Sequence, residues 1–321
     1  TVNQTAGTVS GSHIYPEIGS YTVLVTVSDE LDSGSDTFEL SVDNGFLQNC
    51  LFSNDKDMKI GKESQVACNA GSIGKSEVGE QSQVTGNVAA GDEIKLKKDS
   101  HVSGNATSAA EVKLENGATV GGTISQNSGV SPWAATTLFP TFSVNATGAD
   151  VKVEKNQSLS LSPGNYGKLD AKENTTLTLA PGEYIFEKLD IDKNSLLIIS
   201  GPTVIQVEDD VKLKQGVHIQ AATTDLLVLG GKNIDLEKEG IYVGSFLAPA
   251  GNVKLKQASQ FSGLLYGESV DIEKNSSVNP GPALELIAQT VSNLPTSSSG
   301  ASGVEQVEES SFQIFVPTIN R

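Results

Sequence analysis

Three histidines, two cysteines and two clusters of carboxylates are the residues of this chain whose chemistry could go beyond packing. His13, His101 and His218 lie far apart in sequence, and no phosphate-binding loop, nucleotide-binding glycine fingerprint, His-Glu-x-x-His helix or nucleophile elbow accompanies them. His101 and His218 fall late in strand-like stretches and are expected to point outward, His101 being the sharper enzymatic candidate. Cys50 and Cys68 have no histidine nearby, so they cannot close a zinc site, which takes four nitrogen or sulfur ligands. They either form a disulfide, closing a loop of roughly 17 residues for about 3 kcal/mol in the chain-entropy model, or remain two buried thiols. Export from the cell favours the bond. Asp29, Asp32 and Asp36 in one stretch and Glu208, Asp209 and Asp210 in another could offer oxygen ligands to calcium, although each reads more simply as a solvated turn. No other cofactor is expected, and no enzyme is legible in these residues.

The elements that position these residues follow a period of six. Ile60, Val66, Ser72, Val78, Val84, Ala90, Leu96, Val102, Ser108, Leu114 and Val120 are six apart, and every third member is small, so the full repeat is 18 residues. The same step relates Val84-Thr-Gly-Asn87 to Val102-Ser-Gly-Asn105. A helix would need a 3.6-residue period. Two inward residues in every six describe a short strand and a corner, and three such faces close one coil. Stacked coils then pair each strand with those above and below at about 4.8 Å. The fold class is therefore all-β, a β-helix of about 18–23 residues per coil.

One strand of each coil reads apolar, charged, apolar, charged. From Asp190 onward its outward residues are Asp190 and Asp192, Lys212 and Lys214, Asp235 and Glu237, Lys254 and Lys256, Asp271 and Glu273. With each coil against the next in chain order, unlike charges oppose one another, each pair contributing roughly 0.2–1 kcal/mol. Such a ladder sets register more than it stabilises. A self-compensated face is neither a catalytic cleft nor the flat threonine array of an ice-binding surface.

The boundaries follow from these patterns. Residues 1–46 hold a period-two hairpin as part of a β-sandwich; residues 47–294 form the β-helix, with regular coils over 58–126, an insertion over 127–146 that contains Trp133, and looser coils over 147–285. Residues 295–303 are a flexible linker by composition. Residues 304–321 carry a tethered strand in which Phe312, Ile314 and Val316 suit strand addition, to this chain or to a neighbour. No run of apolar residues is long enough to span a bilayer, and no signal peptide is present, which points to a mature or trimmed form.

Composition agrees with a rod. Aromatics make up 5% of the residues, so a narrow interior with little room for rings is expected. With 22 basic and 39 acidic side chains, 22 − 39 = −17, the chain lacks the clustered cations that nucleic acid requires. Its only arginine is Arg321, which removes the arginine that β-helical polysaccharide lyases use. The hexapeptide acyltransferases share the period, but the rest of their architecture is not evident.

Leu159-Ser-Leu-Ser-Pro-Gly-Asn-Tyr166, Leu177-Thr-Leu-Ala-Pro-Gly-Glu-Tyr184, Gly201-Pro-Thr-Val-Ile205 and Phe246-Leu-Ala-Pro249 resemble the bactofilin-like, polymer-forming β-helix group and related domains of bacterial surface and pilus-associated proteins. His13-Ile-Tyr-Pro-Glu-Ile-Gly-Ser-Tyr-Thr-Val23 resembles the second half of a PKD-type domain, whose first half is absent. These resemblances imply a secreted or cell-surface structural protein, a rod that self-assembles through its terminal β segments. Its partners would be further copies of itself, with surface glycans as another class. The alternative is a carbohydrate-binding or carbohydrate-cleaving β-helix with a groove of aromatics and acids.

Overall fold

The computed structural model describes residues 2–3, 8–9, 19–28, 33–42, 49–129, 144–222 and 226–281, which contain strands and turns and no helix. The chain divides into two units, residues 1–44 with 298–321 and residues 45–297. In the first, Gly19–Ser28 and Ser33–Val42 form an antiparallel hairpin paired from Gly19↔Val42 to Ser28↔Ser33. Asp36 lies in its second strand. His13, Asp29, Asp32, Trp133, Phe312, Ile314 and Val316 lie outside the described residues.

The second unit is a parallel β-solenoid of about 11 coils. Most strands are two to five residues long because a corner follows them, whereas Ile241–Leu255 and Gln260–Ile272 run on through a corner as 15 and 13 residues. Parallel pairing at constant register then lines equivalent residues into files. Inward files hold Val, Ile, Leu and Ala, as in Val66, Val84 and Val102, all at most 1% exposed.

The coils are not stacked in chain order. The strands Val112–Leu114 and Val151–Val153 follow one another in the repeat but occupy opposite ends of the stack. The coil of residues 260–279 instead receives the coil that begins at Asn49: Leu265 pairs with Leu51, Val270 with Met58 and Val278 with Val66. Spatially the stack runs from residue 151 to 279 and continues from 49 to 125. The spacing between residues 112 and 151 thus spans a passage from one end of the stack to the other, where chain-order stacking predicts two adjacent coils.

Rings also occupy the interior, contrary to the expectation from composition. Tyr184, Phe186, Tyr242, Phe246 and Phe261 are fully buried in the wider coils, whereas the 18-residue coils after Met58 hold aliphatic residues and serine. Extra corner residues widen the coil and make the room. The Tyr242 hydroxyl donates to the carbonyls of Glu237 (2.8 Å) and Leu213 (3.3 Å), which removes the cost of an unpaired buried polar group.

A second polar device runs along one corner. Ser82 Oγ donates to the Gly61 carbonyl at 2.6 Å and accepts from the Ser64 amide at 3.2 Å. Ser276 N donates to Ser64 Oγ at 3.4 Å, so this file crosses the junction between sequence-distant coils. The residue just before it in each coil has positive φ: Glu63, Gln81, Asp99, Asn156, Asn174, Asn194, Glu239, Ala258 and Asn275, with Gly117 and Gly216 in the remaining two. Asn tolerates this left-handed conformation better than most residues, which accounts for its recurrence here at Asn156, Asn174, Asn194 and Asn275. Ala258, at φ 59°, has neither glycine's freedom nor asparagine's side-chain bond. Ala258→Gly is expected to raise stability by about 1 kcal/mol, the left-handed penalty less glycine's added chain entropy, measurable by denaturant unfolding.

Candidate functional site

The solenoid has three faces, and they differ in charge. On the first, outward residues are charged in nearly every coil. Register sets Asp190 beside Lys212, Lys212 beside Asp235, Asp235 beside Lys254 and Lys254 beside Asp271. It then sets Asp271 beside Lys59 and Lys59 beside Glu77, so alternation continues across the junction of sequence-distant coils. Lys214 lies 3.1 Å from Asp190 and 3.4 Å from Asp192, and Lys256 lies 2.6 Å from Glu237. Partial burial works to lower the Lys214 pKa, but the two carboxylates outweigh it and hold the ammonium above the ordinary lysine value. Alternation is incomplete, since Asp170 pairs with Asp190 and Lys95 with Lys113.

The outer column of this ladder, which Lys256, Glu273, Lys97 and Glu115 occupy elsewhere, is vacant at Gly61 and Gly79. The gap leaves a groove of about 550 Å³ whose walls include Lys59, Glu77, Lys97, Asp271 and Glu273. Both glycines are required, because a Cβ would come within 2.7 Å of the neighbouring coil's backbone. Burial pushes the Asp271 carboxyl above its usual range, against the attraction of Lys59 and Lys254.

The second face carries no ladder. Its outward residues form two in-register files. One runs Ser158, Thr176, Leu196, His218, Ile241, Gln260, Ser277, Gln65, Gln83, His101 and Thr119. The other runs Ser160, Thr178, Ile198 and Gln220, then Val243, Ser262 and Asn279. Neither file contains Asp, Glu, Lys or Arg. Neighbours along a file stand about 4.8 Å apart and the files about 6.7 Å apart, so the face is a grid roughly 48 Å long. Its side chains are hydroxyls, amides, two imidazoles and aliphatics, with no Phe, Tyr or Trp. His101 Nδ1 lies 2.8 Å from Thr119 Oγ1, along the file, and His218 is exposed. The signal was present in sequence as the residue before Val66, Val84, Val102 and Val120, which is never charged.

The third face is apolar and buried only over four adjacent coils. There Leu229, Leu247, Tyr266 and Phe52 stand in one outward file and are all fully buried, as is normal for parallel strands enclosed on both sides. The same file continues half-exposed at Ile185 before them and at Ala89 and Thr107 after them, and exposed at Ser125. The Phe52 and Tyr266 rings stack with centroids 5.7 Å apart.

The remaining candidates with described side chains are occupied by structural contacts. Cys50 and Cys68 are joined as a disulfide between adjacent coils, with Cα atoms 6.0 Å apart. Glu208 accepts from the Ala146 amide, Asp209 pairs with Lys232, and Asp210 accepts from Asn233. Among the described residues no three of His, Cys, Asp or Glu converge as a metal site. Asn105 accepts from the Thr123 amide at 2.9 Å, one step in a side-chain ladder with Asn69 and Asn87.

The fold defines a β-solenoid protein. No known protein-family profile matches the chain, the PKD-type and bactofilin-like families included, and no curated protein is similar in sequence. Among solved structures it is similar to an ice-binding protein of the Antarctic ascomycete Antarctomyces psychrotrophicus, at 14% identity over 74% of this chain and 97% of that one, with a TM-score of 0.34. It is also similar to the DUF3494 domain of a Shewanella frigidimarina ice-binding protein, at 13% identity over 75% and 98%, with a TM-score of 0.35. Neither likeness is high enough to bear on function.

Asp271 supplies a test of the charged face. Its carboxyl pKa is raised in the fold, so it favours folding when protonated and opposes it once ionised. Asp271→Asn is therefore expected to raise the thermal midpoint at neutral pH, and to change it little near about pH 3, where the carboxyl is mostly protonated in both states.

Proposed function

We propose that this chain is a rigid β-solenoid of the cell surface or the extracellular medium whose uncharged face binds ice. One observation carries the reading: this exposed face lacks formal charge along every coil and holds its side chains on a fixed grid. An ion at the surface keeps its hydration shell, and stripping that shell costs several kcal/mol. A neutral grid of hydroxyl, amide and aliphatic groups can instead meet an ordered, neutral surface without that cost. The backbone ladders hold the grid rigid before contact, so little ordering entropy is lost on binding. Ice is favoured over crystalline polysaccharide because the face has no aromatic platform and no acids. The disulfide between Cys50 and Cys68 suits an oxidising compartment.

The test is thermal hysteresis and inhibition of ice recrystallisation by the full chain. Thr178→Lys and Ile198→Lys each place an ion in the grid and are expected to weaken ice affinity at least about tenfold. Lys212→Gln, on the ladder face, should leave it unchanged. A folded full-length protein without hysteresis and excluded from growing ice would overturn the proposal.

A second reading, assembly through the terminal β segments, is favoured by the hairpin of residues 19–42, whose strands pair only with each other among the described residues. Two unpaired edges suit the addition of further strands. Sedimentation should then separate the full chain from versions lacking residues 1–45 or 304–321. An identical association state in all three would exclude this reading.

A further inference from the structure

The solenoid ends at residues 112–125 in a coil that is open on one side. Leu114 and Ile124 are each 44% exposed, whereas their counterparts one coil below, Leu96 and Ala106, are fully buried. They hold inward positions, so the exposure comes from the absence of a further coil over them among the described residues. The backbone is open in the same way. Leu96, Ser100 and Val102 accept hydrogen bonds from Glu115, Thr119 and Gly121 of the last coil, and no described residue donates to the equivalent carbonyls of Leu114, Ala118 and Val120. Elsewhere at this edge the Val112 amide donates to Gln126 Oε1 at 2.7 Å, and the Ala110 and Ala109 carbonyls accept from the Asn127 (2.6 Å) and Gly129 (3.0 Å) amides. Exposed apolar residues beside an unpaired strand edge form a template for pairing with another strand.

Charge selects what pairs there. A second copy stacked head to tail, with its Val151–Val153 strand over Val112–Leu114, would set Lys152 over Lys113 and Glu154 over Glu115, two like-charge contacts. A second copy meeting the same end about a twofold axis behaves oppositely. Antiparallel pairing centred on Leu114 sets Lys113 opposite Glu115 of the other copy and Glu115 opposite its Lys113. Leu114 then faces Leu114, as in a hydrogen-bonded antiparallel pair in which both residues exchange N–H···O bonds. On a three-sided coil, an axis through one face maps that face onto itself and exchanges the other two. The strands Thr119–Val120 and Ile124–Ser125 thereby meet each other across the contact.

We infer that the coil of residues 112–125 is a self-complementary docking surface for a second copy of this chain, joining two solenoids end to end as a closed dimer. This surface involves neither terminal segment and adjoins the uncharged face only at Thr119, the last residue of its file.

Sedimentation velocity of the full chain tests it. Wild type is expected to sediment as a dimer, and Lys113→Glu, which sets Glu against Glu, to weaken association by roughly tenfold or more. The double variant Lys113→Glu with Glu115→Lys restores the unlike pairs and should restore the dimer. Leu114→Cys should link two copies covalently under mild oxidation. Thermal melts of each variant separate loss of association from loss of folding. Deletion of residues 304–321 should leave the dimer intact. A wild type that is monomeric at every concentration, its end covered by its own residues 130–143, would overturn the inference. So would open filaments that depend on Lys152 and Glu154, or a dimer indifferent to both charge reversals.

Discussion

The solenoid depends on a single register of parallel backbone hydrogen bonds carried from coil to coil. Most of its strands have only two to five residues and cannot persist alone, so each must be paired by the coils above and below. A slip of one residue would turn every inward side chain outward, and the buried files of Val, Leu and Ile forbid it. Once the register is set, any residue type that recurs along the chain becomes a column in space. The serine file, the left-handed corner, the charge ladder and the uncharged grid are four columns produced by that constraint.

The same constraint concerns spatial neighbours and is indifferent to sequence neighbours. At the junction Met58-Lys-Ile60 pairs with Val270-Asp-Ile272 as regularly as any two consecutive coils pair. Loop-closure entropy grows only logarithmically with loop length, so a partner 212 residues away costs about 2 kcal/mol more than one 18 residues away, an amount that the contacts of a whole coil offset. What selects the partner is complementarity. Asp271 meets Lys59, and Ser276 finds Ser64, which continue two columns without a break. The gap at Gly61 and Gly79 lies beside this junction, so the groove in the ladder is a product of the coil order.

The three faces divide the work of the molecule by how they treat water. The apolar face is closed off from it from Leu229 to Phe52. The ladder face keeps its ions hydrated and paired with one another, which makes approach by a large neutral surface costly. The remaining face is exposed, regular and free of ions over the length of the stack, so a neutral surface can approach it without stripping water from a charge. The excess acid of the chain lies off this face.

The solenoid itself was legible in the sequence, because an 18-residue period with two inward residues in six admits few other packings. The opposed charges were legible too, because spacing alone puts Asp190, Lys212 and Asp235 at one position of successive coils. The uncharged face was readable only faintly, at Gln65, Gln83, His101 and Thr119, since an absence of charge carries no signal until those positions are known to share one surface. Coil order, the continuation of the ladder from Asp271 to Lys59, the groove at Gly61 and the open end at Leu114 were decided by tertiary structure. A repeat states what each coil requires of its neighbour, and several coils of this chain meet that requirement locally. Which of them stack is settled by side chains far apart in sequence, and that information exists only once the chain has folded.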